Sequence, residues 1–285
     1  GKAVELPSAF KGVWYDLNTV GTSGGTFVVG FRQAFITLLG PLLTSKFEVV
    51  IDLMVVGICA WVFFRQLKLA PVACWLGGLA FALSSACFST TCWGVGAQVI
   101  CLGFNLLAMA AIVSTPQRFA WLKYILAGLG VGMGIMEGAD VGALYSLCVA
   151  AFVFYLALTE EGPVALKAAR GIGRVGVVAV FAAFMAASML TALIGTQIKG
   201  VAGTAQDAKT KAERWDFATQ WSLPKVEALS LFIPGLFGYR MDTEKGGAYW
   251  GTVGQSPGWA ETKAGWPRYS GAGEYAGILV VLLGI

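Results

Sequence analysis

Histidine is absent from the sequence, and with it go Ser-His-Asp catalysis, His-ligated zinc and a histidine proton relay. Acid, base or metal-ligand chemistry therefore falls to carboxylates. Charge is scarce as well: 13% of the residues are Asp, Glu, Lys or Arg, where soluble domains carry about a quarter. Paired cysteine motifs are missing too. Cys59, Cys74, Cys87, Cys92, Cys101 and Cys148 show no C-x-x-C spacing and lie in or beside apolar runs, so they read as small packing residues. Cys87 and Cys92, near one membrane face, are the only pair placed to bridge, and packing is their expected role. The net charge of +4 says little by itself, because in a membrane protein the position of each charge matters more than the sum. No nucleic-acid partner is expected.

Apolar residues supply what is left. They make up 57% of the 285 residues, and the mean hydropathy is +0.71, well outside the usual soluble range. The composition is that of an all-α polytopic membrane protein in a lipid bilayer. The 38 glycines suit helices that pack closely in lipid, where small residues let backbones approach. The chain starts at Gly1 without a methionine or signal-peptide pattern and stops at Ile285 early in an apolar run. Spanning needs about 20 apolar residues, so an internal portion of a longer protein is expected.

Residues 1 to 25 are polar and Gly-rich, with V-W-Y-D-L-N-T-V-G-T-S-G-G at Val13 to Gly25 reading as an ordered loop. Thr26 to Leu43 is apolar but interrupted by Arg32, Gln33, Gly40 and Pro41, which predicts an interfacial or re-entrant helix near 26–43. Six full spans are expected, at about 47–64, 71–88, 95–113, 119–136, 140–158 and 175–195, with a truncated seventh from 272 to 285. The domains are then an outer loop with its interfacial helix (1–46), a six-helix bundle (47–195), a long aromatic loop (196–271) and the start of a further span (272–285). Arg65, Lys68, Arg118, Lys123, Lys167, Arg170 and Arg174 fall in alternate connections, and the others, Thr90 to Gly94 and Met136 to Asp140, hold no Lys or Arg. By the positive-inside rule, residues 1–46, the Glu137/Asp140 turn and the aromatic loop share the extracytoplasmic side.

That aromatic loop, Arg214 to Tyr269, carries five of the ten tryptophans: Trp215, Trp221, Trp250, Trp259 and Trp266. Rings interleaved with Arg, Lys, Asp and Glu suit a sugar, a lipid headgroup or a partner surface. They equally suit an aromatic belt at headgroup level.

The motifs divide similarly. Gly171-Ile-Gly-Arg-Val-Gly176 matches G-x-G-x-x-G by letter, but it opens a membrane helix and no acidic residue follows about 20 positions on, so dinucleotide binding is rejected. Gly128, Gly130, Gly132 and Gly134 form overlapping G-x-x-x-G pairs and predict a close helix contact. Glu48 and Asp52 lie four apart on one helix face, Asp52 a turn deeper. Asp52 is either a functional intramembrane carboxylate or a plain interfacial one, whereas Glu48 reads as an interfacial partner of Lys46. Glu137 and Asp140 lie at the outer end of the fourth and fifth spans, where Asp140 either caps the helix that follows or joins Glu137 in a carboxylate pair for a divalent cation or a sugar hydroxyl. Asp16, Arg32, Arg214, Asp216, Lys225, Glu227 and Arg240 are further polar candidates on the outer face, arginine being suited to phosphate.

Several segments taken in order resemble the YfhO-type membrane proteins of bacteria, which resemble in turn the GT-C class of polytopic glycosyltransferases. L-N-T-V-G-T-S-G-G, ending at Gly25 and followed by Gln33, resembles their W-N-P-x-x-x-G-G…Q segment. L-G-G-L-A-F-A-L-S at Leu76 to Ser84, then Trp93-Gly94, is similar to their G-G-L-A-F-A-L-S…W-G run, and G-L-G-V-G-M-G-I-M-E-G-A-D-V-G-A-L-Y to the Gly-rich helix leading to G-H-P-Q-x-A-x-Y. W-S-L-P-K-V-E-A-L-S-L-F-I-P-G-L-F-G, Y-W-G and Y-A-G-I resemble their W-S-x-P…F-G…Y-x-G block. Ala139-Asp140 stands where the family often has His-Pro. The resemblance implies a GT-C-like fold in the bacterial cytoplasmic membrane, passing a sugar from a polyprenyl-phosphate donor to an acceptor at the extracytoplasmic face. Asp16, Glu137 and Asp140 are then the carboxylates to test as catalytic base. Arg32, Gln33, Asp52, Arg214, Trp215, Trp221, Arg240 and Trp250 are the substrate-binding candidates, with Arg or a divalent cation offsetting charge on the leaving phosphate. The competing expectation is a non-catalytic membrane subunit whose aromatic loop docks partner proteins.

Overall fold

The computed structural model describes residues 13–15, 22–24, 30–114, 120–193, 215, 225–233 and 235–238. The chain forms two units, Gly1–Val201 and Ala202–Ile285. In the first, two three-residue strands precede the helices: β1 (Val13–Tyr15) pairs antiparallel with β2 (Thr22–Gly24), Trp14 opposite Ser23. The stretch read as a loop thus contains a short ladder. The Val-Trp-Tyr triplet supplies the β-branched and aromatic residues that favour it.

The helices are α1 (Phe31–Leu39), α2 (Pro41–Gln66), α3 (Pro71–Ala82), α4 (Ser85–Cys92), α5 (Gly96–Val113), α6 (Ala120–Glu137), α7 (Ala139–Leu158), α8 (Val164–Met185) and α9 (Ala187–Leu193). Instead of one interfacial helix over 26–43, the chain ends α1 at Leu39 and starts a new helix two residues later. The cause is local. Gly40 takes φ +80°, which suits glycine, and Pro41 opens α2 where a missing N–H costs nothing.

Four helices, α2, α5, α7 and α8, are long and apolar enough to cross a membrane, and α3 with α4 makes a fifth if that bent pair counts as one span. The protein is therefore a multi-pass membrane protein by helix length and hydropathy, with four or five such spans among the described residues where six were expected. The 71–88 run bends by 42° because Ser84 caps α4 inside it, accepting from the Cys87 N–H at 3.3 Å. The 119–136 run does form α6, but four glycines, Lys123 and Glu137 dilute its hydropathy. It packs between α5, α7 and α8, with Trp121, Leu122 and Leu126 left exposed in its first half.

The expected 175–195 span is displaced as well: α8 begins at Val164, after Gly162 and Pro163. Lys167, Arg170 and Arg174 therefore ride on a helix and not in a loop. Their spacing of three and four puts them on one face, where Glu160 pairs with Arg170 at 3.8 Å and with Arg174 at 2.5 Å. The same end holds Lys123, which donates to the Ser114 carbonyl, and Tyr124, whose ring lies 5.5 Å from the Arg174 guanidinium. The truncated seventh span and most of the aromatic loop lie outside the described residues. In the second unit a 3₁₀ turn spans Lys225–Leu231, with Glu227 buried and its carbonyl accepting from Ser230.

Small residues form the core. Val56, Ala60, Ile100, Cys101, Ala127 and Val149 are fully buried, whereas Leu42, Val72, Leu144 and Phe184 are exposed. Such an outward apolar surface needs lipid around it. All six cysteines are free thiols, Cys87 buried and Cys92 exposed, in keeping with packing and not a bridge.

The α6 glycines are divided between two neighbours. A Cβ on Gly128 would sit 2.6 Å from the Val178 carbonyl oxygen, and one on Gly132 2.5 Å from Met185 Cβ, both on α8. On the other side, a Cβ on Gly130 would lie 3.3 Å from the Phe104 carbonyl oxygen and one on Gly134 3.2 Å from that of Cys101, both on α5. Two interleaved G-x-x-x-G stripes thus seat one helix in two close interfaces. We predict that Gly132→Ala costs about 1–3 kcal/mol by overpacking. Gly173→Ala, which enters open space on α8, should instead gain about 0.5–1 kcal/mol of helix propensity. Thermal unfolding of the detergent-solubilised protein measures both.

Candidate functional site

One end of the bundle is polar. Residues 30–52, the start of α5, and the turn joining α6 to α7 meet there, on the side away from Lys123, Arg170 and Arg174. Arg32, in the first turn of α1, reaches α2: its Nη2 donates to Asp52 Oδ2 at 2.9 Å and also to Glu48 Oε1. The two carboxylates differ in setting. The Asp52 side chain is 3% exposed and that of Glu48 is 39% exposed. A buried carboxylate needs a partner to remain charged, and Arg32 is that partner. The half-exposed Glu48 side of the guanidinium faces outwards.

Helix ends complete the electrostatics. Asp52 lies against Gly96, the first residue of α5, so closely that a Cβ there would overlap its Oδ2 and come 3.0 Å from Arg32 Nη2. Glycine at this position lets the carboxylate approach a helix N-terminus, where unpaired N–H groups and the helix dipole favour negative charge. Glu137 does the same for α1. Gly30 provides no side-chain cap, and the Phe31 N–H donates instead to Glu137 Oε1 across 106 positions of sequence, with the Arg32 amide facing the same carboxylate. Phe31 also packs edge-on against Phe104 of α5, ring centroids 5.3 Å apart. These contacts fasten α1 to α2, α5 and α6.

Arg32, Asp52 and Glu137 are therefore brought together, and Glu48, read from sequence as a partner of Lys46, belongs with them. Gln33 is half-buried beside Arg32. Asp140 is exposed in the first turn of α7, and the cap position before it belongs to Gly138. The charge of Asp140 thus meets the dipole of α7 without a capping hydrogen bond. Trp215 is exposed and lies in the second unit. Asp16, Arg214, Trp221, Arg240 and Trp250 lie outside the described residues. Among the described residues no three Asp, Glu or Cys side chains converge as metal ligands. Between Glu48 and Asp52 the positive charge is Arg32.

Asn105 was not anticipated. It lies buried in α5 against Gly134, donating from Nδ2 to the Cys101 carbonyl at 2.8 Å, while its Oδ1 has no hydrogen-bond partner. The available signal was one amide inside an 18-residue apolar helix, where polar side chains face the bundle interior. The chain matches no protein-family model, no curated protein and no solved structure.

Removing Arg32 should strand Asp52. Arg32→Ala is expected to cost about 3–5 kcal/mol, and adding Asp52→Asn should recover most of the loss by removing the stranded charge. Glu48→Gln, breaking a half-exposed pair, should cost no more than about 1 kcal/mol. Unfolding midpoints of the three variants in one detergent provide the comparison.

Proposed function

We propose that the chain is a GT-C-like membrane glycosyltransferase, or a large fragment of one. It transfers a sugar from a polyprenyl-phosphate donor at the extracytoplasmic face of a bacterial cytoplasmic membrane. The resemblance in sequence motivates the reading, and the observation that carries it is the division of Arg32 between a buried and a half-exposed carboxylate. Asp52 keeps the guanidinium in place. An incoming phosphate can displace Glu48 and take up the outward side of Arg32, for which a guanidinium's fork of donors is well shaped.

In this reading Glu48 is released as the donor binds. It or the exposed Asp140 removes the proton from the acceptor hydroxyl as that oxygen bonds to the anomeric carbon. The bond from that carbon to the phosphate oxygen breaks, and the polyprenyl phosphate leaves with its charge offset by Arg32. Glu137, engaged by the amides of α1, positions Arg32. Asp16 remains a candidate base on the outer loop, and Trp215, Trp221 and Trp250 remain candidates for stacking on the sugar.

A second reading has its own support. Glu137 serves as the cap of α1, a structural duty, which fits a non-catalytic subunit that keeps the fold and docks partners through the aromatic loop. The two separate in one experiment: the protein is purified gently into nanodiscs, supplied with a mixture of polyprenyl-phosphate sugars and an acceptor extract, and followed by mass spectrometry. A transferase should consume one donor, and losing its base, by Glu48→Gln or Asp140→Asn, should slow that by about 10²–10⁴-fold. Glu137→Gln should chiefly lower the unfolding temperature. Wild-type protein that consumes no donor and purifies only in a fixed complex would refute the transferase and leave the subunit reading.

A further inference from the structure

A groove of about 550 Å³ runs along the outside of the bundle between α2 and α3, its walls made by Met54, Ile58 and Trp61 from α2 and by Trp75, Leu79 and Leu83 from α3. The floor is where the helices touch: a Cβ on Gly78 would lie 2.8 Å from the Gly57 carbonyl oxygen. Small residues hold the backbones together while the long side chains on either side stand up as walls. Met54, Ile58, Trp75, Leu79 and Leu83 are all exposed, α2 having the length and hydropathy of a membrane span and α3 reaching them together with α4. The volume is that of a small-molecule site, and from Val50 to Trp61 the slot is about 16 Å long at the helical rise.

The end of the slot beyond Trp61 is cationic. Trp61 and Trp75 face each other there with centroids 5.7 Å apart, and the Arg65 guanidinium lies 5.6 Å from the Trp61 ring. Arg65 has no carboxylate partner among the described residues, and Lys68 follows it. An apolar slot in lipid ending at an aromatic-seated cation complements one molecule: a chain with an anion at its head. We infer that the α2–α3 groove binds an acyl chain of an anionic phospholipid, its phosphate held by Arg65. Arg65 lies at the end of α2 remote from Arg32 and Asp52, so this site is separate from the proposed transfer centre and does not depend on it. A packed neighbouring helix would be the other way to fill an apolar slot, but it would leave the cation without a counter-charge.

The test is native mass spectrometry of the delipidated full chain, titrated with phosphatidylglycerol and with phosphatidylcholine of identical acyl chains. Wild type should take up one phosphatidylglycerol with about fivefold or greater preference, the effect of one basic residue near an anionic headgroup. Arg65→Ala should erase the preference, Arg65→Lys should keep most of it, and Leu79→Trp should fill the slot and weaken both lipids. The preference is a ratio within each variant, so it is read independently of how well each variant folds. Equal binding of the two lipids by wild type, a preference that survives Arg65→Ala, unchanged binding in Leu79→Trp, or a dimer that excludes lipid would each overturn the assignment.

Discussion

The ion pair between Arg32 and Asp52 is the constraint on which the polar end of the molecule rests. A carboxylate 3% exposed inside a membrane-type helix is unfavourable by several kcal/mol without compensation. Compensation has to come from a charge brought in from elsewhere in the chain. That requirement explains α1. The helix is short, buries no residue fully, and has little apolar reason of its own to lie on the bundle. Its position follows from three polar or aromatic links: Arg32 to Asp52, its N-terminus to Glu137, and Phe31 to Phe104. The Gly40-Pro41 corner sets where α1 turns back onto α2.

The rest of the bundle answers a different problem, helix association without a hydrophobic driving force between helices. In lipid the gain comes from close backbone approach, and α6 achieves it on two sides at once through glycines spaced by four. This makes α6 the least lipid-like of the long helices while placing it among α5, α7 and α8. It also accounts for the burial of Asn105 against Gly134: where no side chain intervenes, a small amide can sit between two backbones. The central helix is thus richer in glycine than the helices around it, a device suited to close packing in lipid.

Legibility in the sequence tracked the range of the interaction. Apolar runs are local, and the helices over 95–113, 119–136 and 140–158 are found nearly where periodicity and hydropathy put them. The glycine spacing of α6 carried its own meaning for the same reason. Less legible were features decided by a distant partner. Lys167, Arg170 and Arg174 look like a loop to a charge count, and become helical because Glu160 and their own spacing put them on one tolerated face. Ser84 inside an apolar run looks like a tolerated polar residue until its capping bond reveals a bend. Glu48 was paired by proximity with Lys46, whereas the charge that takes it comes from Arg32, sixteen residues back. Glu137 reads as a helix-end carboxylate, but the helix it caps is α1, and Asp140, the expected cap of the following helix, makes no capping bond. No spacing rule links residues 106 apart.

The two charged clusters also bound the apolar thickness of the molecule. From Asp52 to Arg65 along α2 is about 20 Å at the helical rise, and from Asp140 to Leu158 on α7 about 27 Å, against a hydrocarbon core of about 30 Å. Asp52 closes the apolar stretch of α2 with its side chain 3% exposed, so that Arg32 and not water alone serves it. On α8 the distance from Arg174 to Met185 is about 17 Å, too short to match α7. The residues of α9 continue the apolar path past Ala186. The sequence pattern of 175–195 thus misses that the helix itself starts about three turns earlier, at Val164, in a basic extension. A helix of this kind carries two signals, an apolar stretch that fits the bilayer and a charged extension that does not, and hydropathy detects only the first.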